Sequence, residues 1–142
     1  MEWELEPQTG GPPIHIHPYA TEAYQVLQGK FDAYVNGEWK TLSVGEKVVV
    51  EKGVPHTYRN ASRETTRVYN THQPAMKFGE YFEGLQTLAK SGVFKSNQMS
   101  FTTILYLSAL MTKHKGETRL VSPPYVIMQV FGFIGRLLGY KV

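Results

Sequence analysis

The sequence contains no cysteine among its 142 residues. That absence excludes a disulfide scaffold, thiolate metal sites, iron–sulfur clusters and a cysteine nucleophile. Any bound metal must be held by imidazole and carboxylate, and only five histidines are present. There is no run of Lys or Arg. Fifteen basic residues against twelve acidic ones leave a net charge of +3, too weak and too scattered to predict nucleic-acid binding. The acidic start, Met1-Glu2-Trp3-Glu4-Leu5-Glu6, lacks the charge and the apolar run of a signal peptide, so a cytoplasmic protein is expected. With 42% apolar and 19% charged residues, the composition is that of an ordinary globular domain able to bury a core without staples.

What is present falls into two halves with different periods. The first reads as β, with alternating stretches separated by turn residues. Phe31–Val35 and Glu38–Leu42 flank Asn36-Gly37, a pair that predicts a tight hairpin. Glu22–Gln28, Glu46–Glu51, His56–Arg59 and Glu64–Thr71 complete a series of short strands that suggests a sandwich or small barrel. After Pro74 the period becomes helical. One helix follows Phe78, Phe82, Leu85 and Leu88 and stops at Ser91-Gly92; a second covers Phe101 to His114, and a third Tyr125 to Leu138. His72 ends the last strand, and His114 is placed to complement a helix dipole; neither is counted as a ligand.

Four potential ligands form a pattern. His15-Ile16-His17 puts two imidazoles on one face of a strand, roughly 7 Å apart at Cα. Glu22 follows beyond the bend at Pro18, and His56 follows Pro55 at the start of a later strand. Three imidazoles and a carboxylate suit one divalent transition metal, Fe, Mn, Ni, Cu, Co or Zn, and leave positions open for water, dioxygen or substrate. By period 2, Tyr24 and Val26 share the face of Glu22, and Tyr58 that of His56. They are candidate substrate contacts, with core packing as the alternative for each.

These residues resemble the cupin superfamily. Its first motif matches as Gly10, His15, His17, Glu22 and Gly29, and its second as Gly45, Gly53, His56 and Asn60, with Lys30 to Val44 between. The opening glycine stands one position nearer His15 than usual, and Glu51 occupies the place of the motif's proline. Only about a dozen residues precede the first motif. The barrel is therefore trimmed, or completed by a partner subunit, or the chain is a fragment of a longer one.

The resemblance implies a mainly β fold, a cupin-type double-stranded β-helix (jelly-roll barrel) over residues 1–74. Residues 75–142 form an α-helical extension, packed on the barrel or on a partner subunit as one structural unit. It further implies metal ligation by His15, His17, Glu22 and His56, with Glu22 also a catalytic base. The implied activity is that of a dioxygenase-type oxidoreductase on a small organic molecule, with a non-catalytic binding barrel or an isomerase or epimerase as alternatives. The tail is similar to that of a group of bacterial cupin proteins ending in Arg-Leu-Leu-Gly-Tyr, here Arg136 to Tyr140. Tyr125–Tyr140 is apolar but shorter than the ~20 residues of a spanning helix, and poor in basic residues for a membrane-surface one. A membrane role is not expected. The segment's glycines, Gly132, Gly135 and Gly139, suit close packing against the barrel or a second subunit, and a homodimer is expected.

Overall fold

The Asn36–Gly37 turn shows how locally the β half is specified. Both residues have positive φ, 50° and 100°, the conformation of a tight two-residue hairpin. Phe31 pairs with Leu42 and Val35 with Glu38 across it, burying Phe31, Ala33 and Leu42 and turning Glu38 and Lys40 outward. The computed structural model describes residues 1–93 and 100–139. It divides into two compact units, Met1–Ala75 and Met76–Val142.

The first unit is a double-stranded β-helix of two facing antiparallel sheets. Its strands are β1 (Glu2–Leu5), β2 (Thr9–Gly10), β3 (His15–Ile16), β4 (Thr21–Gln28), β5 (Phe31–Val35), β6 (Glu38–Leu42), β7 (Lys47–Val50), β8 (His56–Asn60) and β9 (Thr66–Gln73). One sheet runs β1-β9-β4-β7; the other runs β3-β8-β5-β6, with β2 also on β8. The residues before the first motif thus supply two strands. Glu2 to Leu5 pair with Tyr69 to Thr66, and Thr9 and Gly10 pair with Asn60 and Arg59. The signal for β1 is the alternation Glu2-Trp3-Glu4-Leu5, which directs Trp3 and Leu5 onto the core.

Tyr24, Val26, Val50 and Val68 from one sheet and Phe31, Ala33 and Leu42 from the other form that core. Trp3, Tyr24, Phe31 and Tyr58 share ring contacts of 5.0 to 6.3 Å within it. At one end, the buried motif residue Asn60 acts as a latch. Its Nδ2 donates to the carbonyls of Leu5, Glu6 and Glu64 at 3.2, 3.1 and 2.8 Å. Its Oδ1 accepts from the Ser62 N–H and hydroxyl.

The second unit contains α1 (Phe78–Lys90), α2 (Phe101–Lys113) and α3 (Tyr125–Leu137), at the positions that the helical period predicts. Ser100 caps α2, its Oγ accepting from the Thr103 N–H at 3.1 Å. His114 closes α2 as a buried residue. Burial lowers its pKa, so it stands at the helix end as a neutral imidazole and not as a charge complementing the dipole. Tyr140 of the Arg-Leu-Leu-Gly-Tyr sequence lies outside the described residues.

Candidate metal centre

Three strands of the barrel carry an ionisable residue at one end of the same inward face and apolar or aromatic ones further along. On β4 the order is Glu22, Tyr24, Val26; on β8 it is His56, Tyr58; on β9, read backwards, it is His72, Asn70, Val68. Because side chains alternate, this stacks the polar residues at one end of the lumen above the apolar core. Register completes the placement, since Glu22 stands opposite His72, and His15 opposite His56.

The structure brings together the four residues that the motifs predict as ligands. His15, His17, Glu22 and His56 are all buried, and each offers a donor atom within 4.8 Å of the others. Their rings are close-set, with centroids 4.3 Å apart for His15 and His56 and 4.9 Å for His17 and His56. His15 Nδ1 lies 3.0 Å from the Pro13 carbonyl and His56 Nδ1 2.8 Å from that of Val54. A carbonyl can only accept, so both Nδ1 atoms carry a proton, which leaves each Nε2 as the nitrogen free to face an ion. That is how proteins orient imidazoles for a metal.

One contact tests the fit directly. His56 Nε2 lies 2.8 Å from Glu22 Oε2, two acceptors facing each other unless a cation stands between them, either a proton or a metal ion. His17 Nε2 is 3.1 Å from the same oxygen. Separations of about 3 Å are those of neighbouring ligand atoms around an ion bound at about 2.1 Å. Electrostatics favours the same occupant. Burial, then the imidazoles of His56 and His17, pull the His15 pKa from 6.5 to about 3, keeping it a neutral donor. Burial opposes ionisation of Glu22, but the imidazoles of His17, His56 and His72 beside it outweigh that and hold the carboxyl well below 4.5. Three imidazoles with one carboxylate suit a borderline divalent metal.

Two further residues belong to the site. His72 Nε2 is 3.0 Å from Glu22 Oε1, and Asn70 Nδ2 donates to that same oxygen at 2.9 Å. One carboxylate oxygen is thus fastened to β9 while the other faces the imidazoles. Period 2 on β9 is the sequence signal for both, because Val68, Asn70 and His72 share a face, although His72 lies next to the strand's end. The loop before β8 is tied down without the motif's proline. The Gly53 N–H donates to the His17 carbonyl at 2.8 Å, and Glu51 accepts from the Thr21 hydroxyl at 3.1 Å.

Of the candidate substrate contacts, Tyr24 and Val26 lie in the apolar core and Tyr58 packs against it. The Tyr24 hydroxyl is buried without a hydrogen-bond partner. Burial, with the nearby charge of Glu22, raises its pKa well above 10, so it remains a hydrogen-bond donor.

The cupin domain family matches residues 1–72, half of the chain. The chain belongs to the cupin family. Curated relatives of this cupin include the quercetin 2,3-dioxygenase of Bacillus subtilis, 36% identical over 59 residues, which is 42% of this chain and 18% of that protein. The HTH-type transcriptional regulator SutR of Escherichia coli is 40% identical over 50 residues, covering 34% of this chain and 28% of the regulator. The cupin therefore spans less than half the length of the curated relatives it matches. Among solved structures, a conserved protein with a double-stranded β-helix domain from Klebsiella pneumoniae aligns with a TM-score of 0.49 at 21% identity, over 53% of this chain and 65% of that one.

Proposed function

We propose that this cupin binds one divalent transition metal through His15, His17, Glu22 and His56, and acts as a dioxygenase-type oxidoreductase on a small organic molecule in the barrel lumen. The observation that carries the metal is the His56 Nε2 to Glu22 Oε2 contact of 2.8 Å, with His56 Nδ1 already committed to a backbone carbonyl. A bound metal would supply Lewis acidity or dioxygen activation at its open positions. The protein supplies the rest. Glu22 is the candidate base: Asn70 and His72 hold Oε1, so Oε2 would take the proton when it has left the metal. The unpartnered Tyr24 hydroxyl is a donor for a substrate oxygen. Val26 and Tyr58 provide apolar wall. The resemblance to a region of quercetin 2,3-dioxygenase supports the reaction class.

The test is elemental analysis of the purified protein beside the His15→Ala/His17→Ala variant, with oxygen uptake measured on a panel of small phenolic and enediol compounds. Near-stoichiometric metal that vanishes in the variant, with uptake that vanishes alongside it, is the expected result. Protein that stays metal-free after incubation with divalent ions would overturn the metal reading. Stoichiometric zinc with isomerisation but no oxygen uptake would replace the oxidoreductase with an isomerase. Substrate binding without turnover, unaffected by Glu22→Gln, would leave a binding barrel.

A further inference from the structure

Helix α3 carries an exposed apolar face. Its inner side is closely packed on α2. A Cβ added at Gly132 would stand 2.8 Å from Thr112 Oγ1 and 2.9 Å from the Ser108 carbonyl, and one at Gly135 3.2 Å from the Leu105 carbonyl. The other side carries Val126, Ile127, Val130, Phe133, Leu137 and Leu138, each between 43% and 71% exposed. At 100° per residue these six span an arc of about 140°, wider than the stripe an amphipathic helix ordinarily buries. Gln129 and Arg136 sit together at the edge of that arc. The helix is thus apolar on both its packed and its unpacked sides.

The charge distribution bears on what could meet the open side. Residues 76–142 carry eight Lys and Arg against three Glu, a surplus of five, whereas residues 1–75 carry nine acidic against seven basic. One of the three, Glu117, is buried 3.9 Å from His114, and Glu80 is 3.8 Å from Lys77. No acidic residue follows Glu117. Cations lie along one flank of the apolar face, near the two ends of the helix. The Arg119 guanidinium lies 5.2 Å from the Tyr125 ring at the start of α3, and Arg136 is exposed in its last turn. A second copy seated on this face would bring two positive surpluses together. An apolar face with cations along one flank is complementary to a surface that is apolar inside and anionic outside. No helix among the described residues is long and apolar enough to cross a membrane.

We infer that α3 is a docking face for the surface of an anionic lipid bilayer, with the helix lying in the plane of the headgroups. The basic residues expected of a surface helix are Arg119, beside its start, and Arg136 in its last turn.

The experiment is co-sedimentation of the full chain with phosphatidylcholine vesicles, with and without phosphatidylglycerol. Binding to the anionic vesicles that weakens with added salt is expected. Val130→Gln/Phe133→Gln, both exposed positions, should lower that binding about tenfold while leaving the far-UV circular dichroism unchanged. Arg136→Gln should lower it about fivefold. No sedimentation with anionic vesicles, equal sedimentation with neutral ones, or binding untouched by the double variant would each overturn the proposal. So would a dimer in light scattering that the same double variant dissolves, since the face would then belong to a second copy.

Discussion

Glu22 and His72 stand directly opposite each other on β4 and β9, and His72 Nε2 meets Glu22 Oε1 at 3.0 Å. The carboxylate is shared between two jobs. One oxygen is anchored to a neighbouring strand and the other is turned towards three imidazoles. An anchored ligand loses less rotational freedom when a metal arrives, and it points one lone pair consistently at the ion.

His72→Ala should therefore lower metal affinity about 10- to 100-fold while leaving the stoichiometry at one. His72→Gln, whose amide can still donate to Oε1, should recover part of the loss. Competition with a chelator of known affinity reads both. An unchanged affinity in the alanine variant would dismiss the anchoring role.

The metal-free protein should lose stability as pH falls from 6.5 towards 3. Over that window the unfolded chain protonates His15, with its ordinary pKa of 6.5, while the folded chain, with its pKa of about 3, refuses the proton. Stability from this source is complete above pH 6.5. Glu22, depressed below 4.5, adds a loss of the same sign at lower pH. Urea midpoints should drop between pH 7.5 and 5, by at most about 2 kcal/mol from His15. His15→Gln should flatten that limb; an equally steep one in the variant would assign it elsewhere.

Removing the Asn60 side chain leaves the carbonyls of Leu5, Glu6 and Glu64 without their shared donor. Asn60→Ala should cost about 2–4 kcal/mol in urea unfolding. Asn60→Asp keeps the acceptor for Ser62 but turns oxygen towards three carbonyls, and should be at least as damaging. A loss below about 0.5 kcal/mol in Asn60→Ala would show that the latch is redundant.

Gly132→Val should shift the loss of the 222 nm helical signal to lower urea by about 1–3 kcal/mol, because its Cβ has no room between Thr112 and Ser108. Gly139→Ala is no control, since Gly139 has a positive φ. Gly79→Ala, where a Cβ meets nothing within 4 Å, is the right comparison. Equal midpoints for the two variants would refute the close approach of α2 and α3.

Much of this molecule is written locally. The Asn36-Gly37 hairpin, the three helices and the four motif ligands follow from turn chemistry, period and spacing, each of which needs only neighbouring residues. Long-range pairing is where local reading fails. Glu2 to Leu5 alternate as a strand should, but only pairing with β9, more than sixty residues away, shows that they complete a sheet. His72 looked like a strand end because nothing in its own neighbourhood names Glu22 as its partner. The Tyr24 hydroxyl likewise has no sequence signal, since its isolation is a property of the assembled core.

The pairing of His15 with His56 across β3 and β8 makes the donor set a record of register. β3 is only two residues long. A slip of one residue would turn His15 out of the lumen and put Ile16 in its place. Only a chain closed in the right register presents all four donors at once, so metal capture would proofread barrel closure and then hold two distant stretches of chain against slipping back.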